Sequence, residues 1–120
     1  MQEKEIMLLL NQNDKLRQQN AEFIQGEFEQ FKVIREVIQR NGKEKQVYIA
    51  IEEMAELTKE LIKDKRGFDN YEQIVEEIAD VEIMMQQLCL IFKCSNEVVE
   101  MRRKKIERLK KRLENAEKSE

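Results

Sequence analysis

Histidine, proline and tryptophan are all missing from this 120-residue chain, and glycine occurs only three times. The lack of histidine excludes a Ser-His-Asp or Cys-His catalytic unit, a histidine-containing zinc site and the Glu-x-x-His motif of di-iron helical bundles. The chemistry left is that of carboxylate, ammonium and guanidinium groups. With no proline, and only Gly26, Gly42 and Gly67 to loosen the backbone, little interrupts a helix; the abundant Glu, Lys, Gln, Leu, Ile and Met lose little on entering one. Composition therefore predicts an all-α protein. Cysteine is scarce as well: Cys89 and Cys94 lie five apart rather than in a C-x-x-C pair, and read as reduced, packed residues. The longest strongly apolar run, Leu88 to Phe92, is far too short to span a bilayer, and residues 1–5 lack the basic start of a secretory signal. A cytoplasmic protein without a membrane partner is expected. Charged residues make up 39% of the chain but nearly cancel, to a formal net of -3, so global charge gives no case for nucleic acid and any electrostatic function must be local.

Gly and turn-forming residues divide the sequence into five expected helices. The first, about 3 to 20, holds Ile6, Leu9 and Leu10 and then a polar run, and reads as an N-terminal helical extension over 1–20. The remaining 21–120 read as one helical domain. Its first helix, about 22 to 40, carries Phe23, Phe28, Phe31, Ile34, Val37 and Ile38 at core-like spacings and stops at Asn41-Gly42. The next, about 44 to 65, repeats Val47, Ala50, Ile51, Met54, Leu57 and Leu61, ending at a basic stretch and Gly67. Another, about 71 to 93, carries Ile74, Ile78, Val81, Met85, Leu88 and Phe92. A last helix, capped at Ser95 or Asn96, repeats Val99, Ile106, Leu109 and Leu113 with near-heptad spacing. Short connections favour antiparallel neighbours, so the expected fold is an antiparallel bundle of four core helices plus the N-terminal arm, assembling as an oligomer because so short a chain gains from a shared core.

Within this frame the acidic residues stand out. Glu53 and Glu56 are three apart on one helix, and Glu77 and Asp80 three apart on the next, so each pair projects from one helix face with β-carbons roughly 5–6 Å apart. Facing one another across a hairpin, four carboxylates in a partly dry groove would resist ionisation unless a cation lay between them. Oxygen-only ligands suit a hard ion, Mg²⁺ first and Mn²⁺ as substitute, which serves phosphoryl and pyrophosphoryl chemistry. Spacing alone leaves a second reading open, a solvated acidic face in which Glu56, Lys59, Glu60 and Lys63 pair along the helix surface.

Taken together, E-E-M-A-E at Glu52 to Glu56 and E-I-A-D at Glu77 to Asp80 resemble the E-E-x-x-E…E-x-x-D signature of MazG-like, all-α nucleoside triphosphate pyrophosphohydrolases. G-K-E-K-Q at Gly42 to Gln46, E-L-T-K-E-L at Glu56 to Leu61 and A-D-V-E-I-M-M-Q-Q-L at Ala79 to Leu88 extend the resemblance, which covers about residues 28 to 113. It implies hydrolysis of a (deoxy)nucleoside triphosphate between the α and β phosphates to a monophosphate and pyrophosphate, with nucleotide-pool housekeeping as a compatible purpose. It also implies Glu53, Glu56, Glu77 and Asp80 as Mg²⁺ ligands, Glu52 as the residue that positions or deprotonates water, Lys105 and Arg108 as phosphate ligands, and working dimers or tetramers. Where family members often carry an aromatic residue one turn after the aspartate, this chain has Met84; Phe31, Tyr48, Phe68 and Tyr71 are the other aromatics considered for base contact, and base recognition stays open. Two alternatives stand beside the enzyme. One is a nucleotide-binding family member without turnover; the other is a non-enzymatic helical protein whose first and last helices form intermolecular coiled coils.

Overall fold

A computed structural model describes residues 2–119. Four helices follow one another: α1 (Glu3–Asn41), α2 (Lys43–Lys65), α3 (Tyr71–Ile91) and α4 (Ser95–Ser119), and no strand occurs among the described residues. The chain is all-α, as composition requires. It divides into two units, Met1–Val37 and Ile38–Glu120.

In the first unit, the break expected near Ala21 does not exist, and α1 runs through it without interruption. The polar residues there are good helix formers, and the Gln18 side-chain amide donates to Glu22 Oε1 at 3.4 Å across the expected joint. Gln25 donates likewise to Glu29 Oε1 at 2.9 Å, and Lys32 pairs with Glu29 at 3.9 Å. A further correction concerns Phe23, Phe28 and Phe31, expected in the core: all three are exposed. Cations lie over two of the rings instead, with Lys32 Nζ 4.8 Å from the Phe28 centroid and the Arg35 guanidinium 5.9 Å from that of Phe31.

In the second unit, α2 packs along α3, and α4 meets α3 more narrowly. Two long-range side-chain bonds fix the direction of the hairpin. Gln46 donates to Gln87 Oε1 at 2.7 Å near its open end, and Asn70 donates to Glu60 Oε2 at 2.6 Å near its loop. Residue numbers rise on one helix as they fall on the other, so α2 and α3 are antiparallel. The buried and half-buried positions of α2 include the series Gln46, Ala50, Glu53, Leu57 and Glu60, spaced alternately by four and three; facing them are Asn70, just before α3, and Ile74, Glu77, Asp80, Met84 and Gln87 on α3. This seam mixes polar and apolar residues. The stripe expected to be the core lies partly outside it, for Ile51, Met54, Leu61, Ile78, Met85 and Phe92 are exposed, and among the described residues only Ile38, Ala50 and Met84 form a buried apolar core.

The turns between helices follow from backbone chemistry. Gly42, with φ 93° and ψ 150°, occupies a region essentially closed to side-chain-bearing residues and lets α2 start at once after α1. At the end of α2, Phe68 N donates to Lys63 O and Gly67 N to Asp64 O, with Gly67 at φ 91°, which is a complete Schellman motif. At the end of α3 the same motif recurs with Lys93 at φ 54° in place of glycine: Cys94 N donates to Cys89 O at 3.0 Å and Lys93 N to Leu90 O at 3.3 Å. Both cysteines flanking this corner are free and half-buried; burial, and then the neighbouring Cys94, push the Cys89 thiol above its ordinary value. No described helix is long and apolar enough to cross a membrane.

Candidate metal centre

Halfway along the α2–α3 seam, one carboxylate oxygen from each of Glu53, Glu77 and Asp80 lies within 4.8 Å of the other two. Helical periodicity explains the convergence. Glu53 is one turn beyond the buried Ala50 on α2, while Glu77 and Asp80, three apart, share one face of α3; antiparallel packing sets the two faces against each other. All three side chains are half-buried.

Electrostatics make the cluster unfavourable by itself. Burial pushes the Glu53 carboxyl above its ordinary value of 4.5, and the charges of Asp80 and Glu77 push it further. Glu77 is also raised, by burial first and then by Asp80, with Glu56 contributing less; a hydrogen bond from Glu53 opposes the rise. Contact between the two carboxyls acts on them in opposite senses, raising Glu53 and lowering Glu77. Even so, Glu77 Oε2 is buried without a hydrogen-bond partner. A solvent-excluded carboxylate oxygen with no donor, beside two further carboxylates, is the environment that a hard cation satisfies. Oxygen-only donors fit such an ion.

The other sequence-derived residues are placed differently. Glu56 is exposed and outside the three-oxygen cluster, although near enough for its charge to act on Glu77. Glu52 is exposed too, and lines an open groove of about 800 Å³ formed by residues 41–45, Tyr48 and Ile49 at the start of α2. Lys105 and Arg108 are exposed on α4, and neither forms an ion pair among the described residues. Met84 is 5% exposed and lies in the hairpin seam. Tyr48, Phe68 and Tyr71 are exposed, Tyr48 against the groove.

One residue treated as surface by its spacing is nothing of the kind. Glu60 is buried: the Asn70 amide donates to both its Oε2 at 2.6 Å and its backbone oxygen at 2.9 Å, and Lys63 reaches Oε1 at 3.4 Å. These bonds, the Asn70 amide foremost, hold its carboxyl below the ordinary value. Asn70 stands at the start of α3 but makes no side-chain cap there, because its amide is turned across the hairpin. Glu60 is thus a structural anchor at the loop end of the seam, as Gln46 and Gln87 are at the other.

Comparison with known proteins gives no match among protein-family models, curated proteins or solved structures.

Proposed function

We propose that this protein is a Mg²⁺-dependent nucleoside triphosphate pyrophosphohydrolase that cleaves between the α and β phosphates, releasing a nucleoside monophosphate and pyrophosphate. The observation that carries the proposal is the convergence of Glu53, Glu77 and Asp80 around a buried, unpartnered Glu77 oxygen. The E-E-x-x-E…E-x-x-D pattern supplies the reaction class.

Glu53, Glu77 and Asp80 would hold the ion, with Glu56 at the rim as a fourth carboxylate. Mg²⁺, or Mn²⁺ in its place, supplies charge neutralisation on phosphate oxygens and a lower pKa for a bound water. Glu52, exposed beside the groove, accepts the proton of the attacking water. Lys105 and Arg108 contact the phosphates through charge-assisted hydrogen bonds. The exposed Tyr48 ring offers the groove a stacking surface for a base.

The test is pyrophosphate release across a panel of canonical and modified triphosphates, joined to calorimetric titration with Mg²⁺ and a nonhydrolysable nucleotide. Glu53→Gln is expected to abolish saturable metal binding and release together. Glu52→Gln is expected to keep the metal and lower kcat by roughly 10²–10⁴-fold, the usual worth of a positioned base. Nucleotide binding with no pyrophosphate from any substrate would assign a binding role without turnover. Absence of both metal and nucleotide binding in the wild type would sink the enzyme and favour a helical interaction protein.

A further inference from the structure

The first helix is unexplained by the metal centre. Every described side chain from Gln2 to Val33 is exposed, including Ile6, Leu9, Leu16 and Phe23, the last at 69%. At 1.5 Å per residue α1 is about 58 Å long. An isolated helix in water gains little from propensity, and helices of proteins draw most of their stability from an apolar face packed on something else.

The sequence of that face says what the partner is. Ile6, Leu9, Asn13, Leu16, Asn20 and Phe23 follow one another at intervals of three and four, so Ile6, Asn13 and Asn20 take the first core position of a heptad and Leu9, Leu16 and Phe23 the second. The structure supplies an independent mark of the same frame. The polar pairs Gln18–Glu22, Gln25–Glu29 and Glu29–Lys32 all fall on heptad positions that lie outside a coiled-coil seam. The side facing a partner is left free of such bonds. Across a parallel seam the flanking positions set Glu5 against Leu10, Gln12 against Arg17 and Gln19 against Ile24, so no like charges oppose.

Asn13 and Asn20 choose the occupant. An asparagine at a first core position costs stability against leucine or isoleucine but is satisfied by an asparagine at the same level, which favours two parallel strands in register. A second copy of the same helix, parallel and in register, presents Asn13 and Asn20 at matching levels.

We propose that α1 pairs in parallel and in register with α1 of a second copy, with Ile6, Leu9, Asn13, Leu16, Asn20 and Phe23 as the shared seam. The proposal is independent of the pyrophosphohydrolase reading.

The test places one spin label per chain on the outer face, at Asn11 or at Gln25, in the 120-residue chain carrying Cys89→Ser and Cys94→Ser, and measures intermolecular distances by pulsed dipolar spectroscopy. A parallel in-register pair gives the same short distance at both sites. An antiparallel pair must place at least one pair of labels about 21 Å or more apart along the axis, because the two sites are fourteen residues apart. Leu9→Glu with Leu16→Glu should abolish the coupling. Asn13→Leu with Asn20→Leu should keep the chains associated but add a second, longer distance as the register constraint goes. No coupling in the unsubstituted seam, unequal distances at the two sites, persistence after the glutamate substitutions, or a distribution unchanged by the leucines would each overturn the proposal.

Discussion

Glu60 and Glu53 stand two turns apart on the inner face of α2 and are shifted in opposite directions. Glu60 is held low, chiefly by the Asn70 amide, so its folded-state value lies below the unfolded 4.5. Its contribution to stability is therefore present above about pH 4.5 and is lost as pH falls through the lowered value. Glu60→Gln should remove part of the acid-side loss of stability, read as a flatter dependence of the urea midpoint on pH. Glu53 and Glu77 are raised, chiefly by burial, so the metal-free protein binds extra protons when folded and loses stability as pH climbs from 4.5 through the raised values. Millimolar Mg²⁺ should raise the melting temperature most above that window, and Asp80→Asn should remove much of the rise; an unchanged melting temperature with Mg²⁺ would speak against a preformed site. The three-carboxylate cluster was legible in the sequence because i, i+3 acids on neighbouring amphipathic helices can meet in only a few ways. Glu60 was not legible. Among Glu56, Lys59 and Lys63 it has the spacing of an ordinary surface pair, and only the fold brings Asn70 across to it.

Two helix ends in this protein use one motif with different residues. Gly67 and Lys93 both hold the left-handed position of a Schellman corner, where a side chain costs about 1–2 kcal/mol. Lys93→Gly should stabilise the protein by about 0.5–1 kcal/mol, the relief being partly offset by the freer unfolded chain. Gly67→Ala should destabilise it by about 1–2 kcal/mol. Urea denaturation of the two variants checks both signs at once. Helix ends at Asn41 and near Gly67 were legible because glycine marks them. The continuity of α1 past Ala21 was hidden, since a polar run that weakens an apolar stripe does nothing to break a backbone of helix-forming residues. The rotation of α2 was hidden for a related reason: apolar periodicity locates the residues that need covering, and here several are exposed, while Gln46 and Glu60 are buried with partners in Gln87 on α3 and Asn70 just before it.

For the molecule as a whole, the exposed apolar residues Ile51, Leu61, Ile78, Met85, Ile106 and Leu109 lie on three different helices. Association that covered them would make stability depend on concentration, and on the proposed pairing the melting temperature should rise as total protein is increased; a value independent of concentration over several decades would indicate a self-sufficient monomer. The polar seam of the hairpin also has a history in time. Its bonds span ten residues between Glu60 and Asn70 but forty-one between Gln46 and Gln87. Loop closure costs more entropy for the longer span, so the hairpin should zip from its turn outward, and the three carboxylates are forced together only midway, after the Asn70 anchor is in place. In stopped-flow refolding, Asn70→Ala should then slow folding, whereas Gln87→Ala should act mainly by hastening unfolding. A cation arriving during that second half would meet the chain just as the repulsion between its carboxylates becomes the barrier.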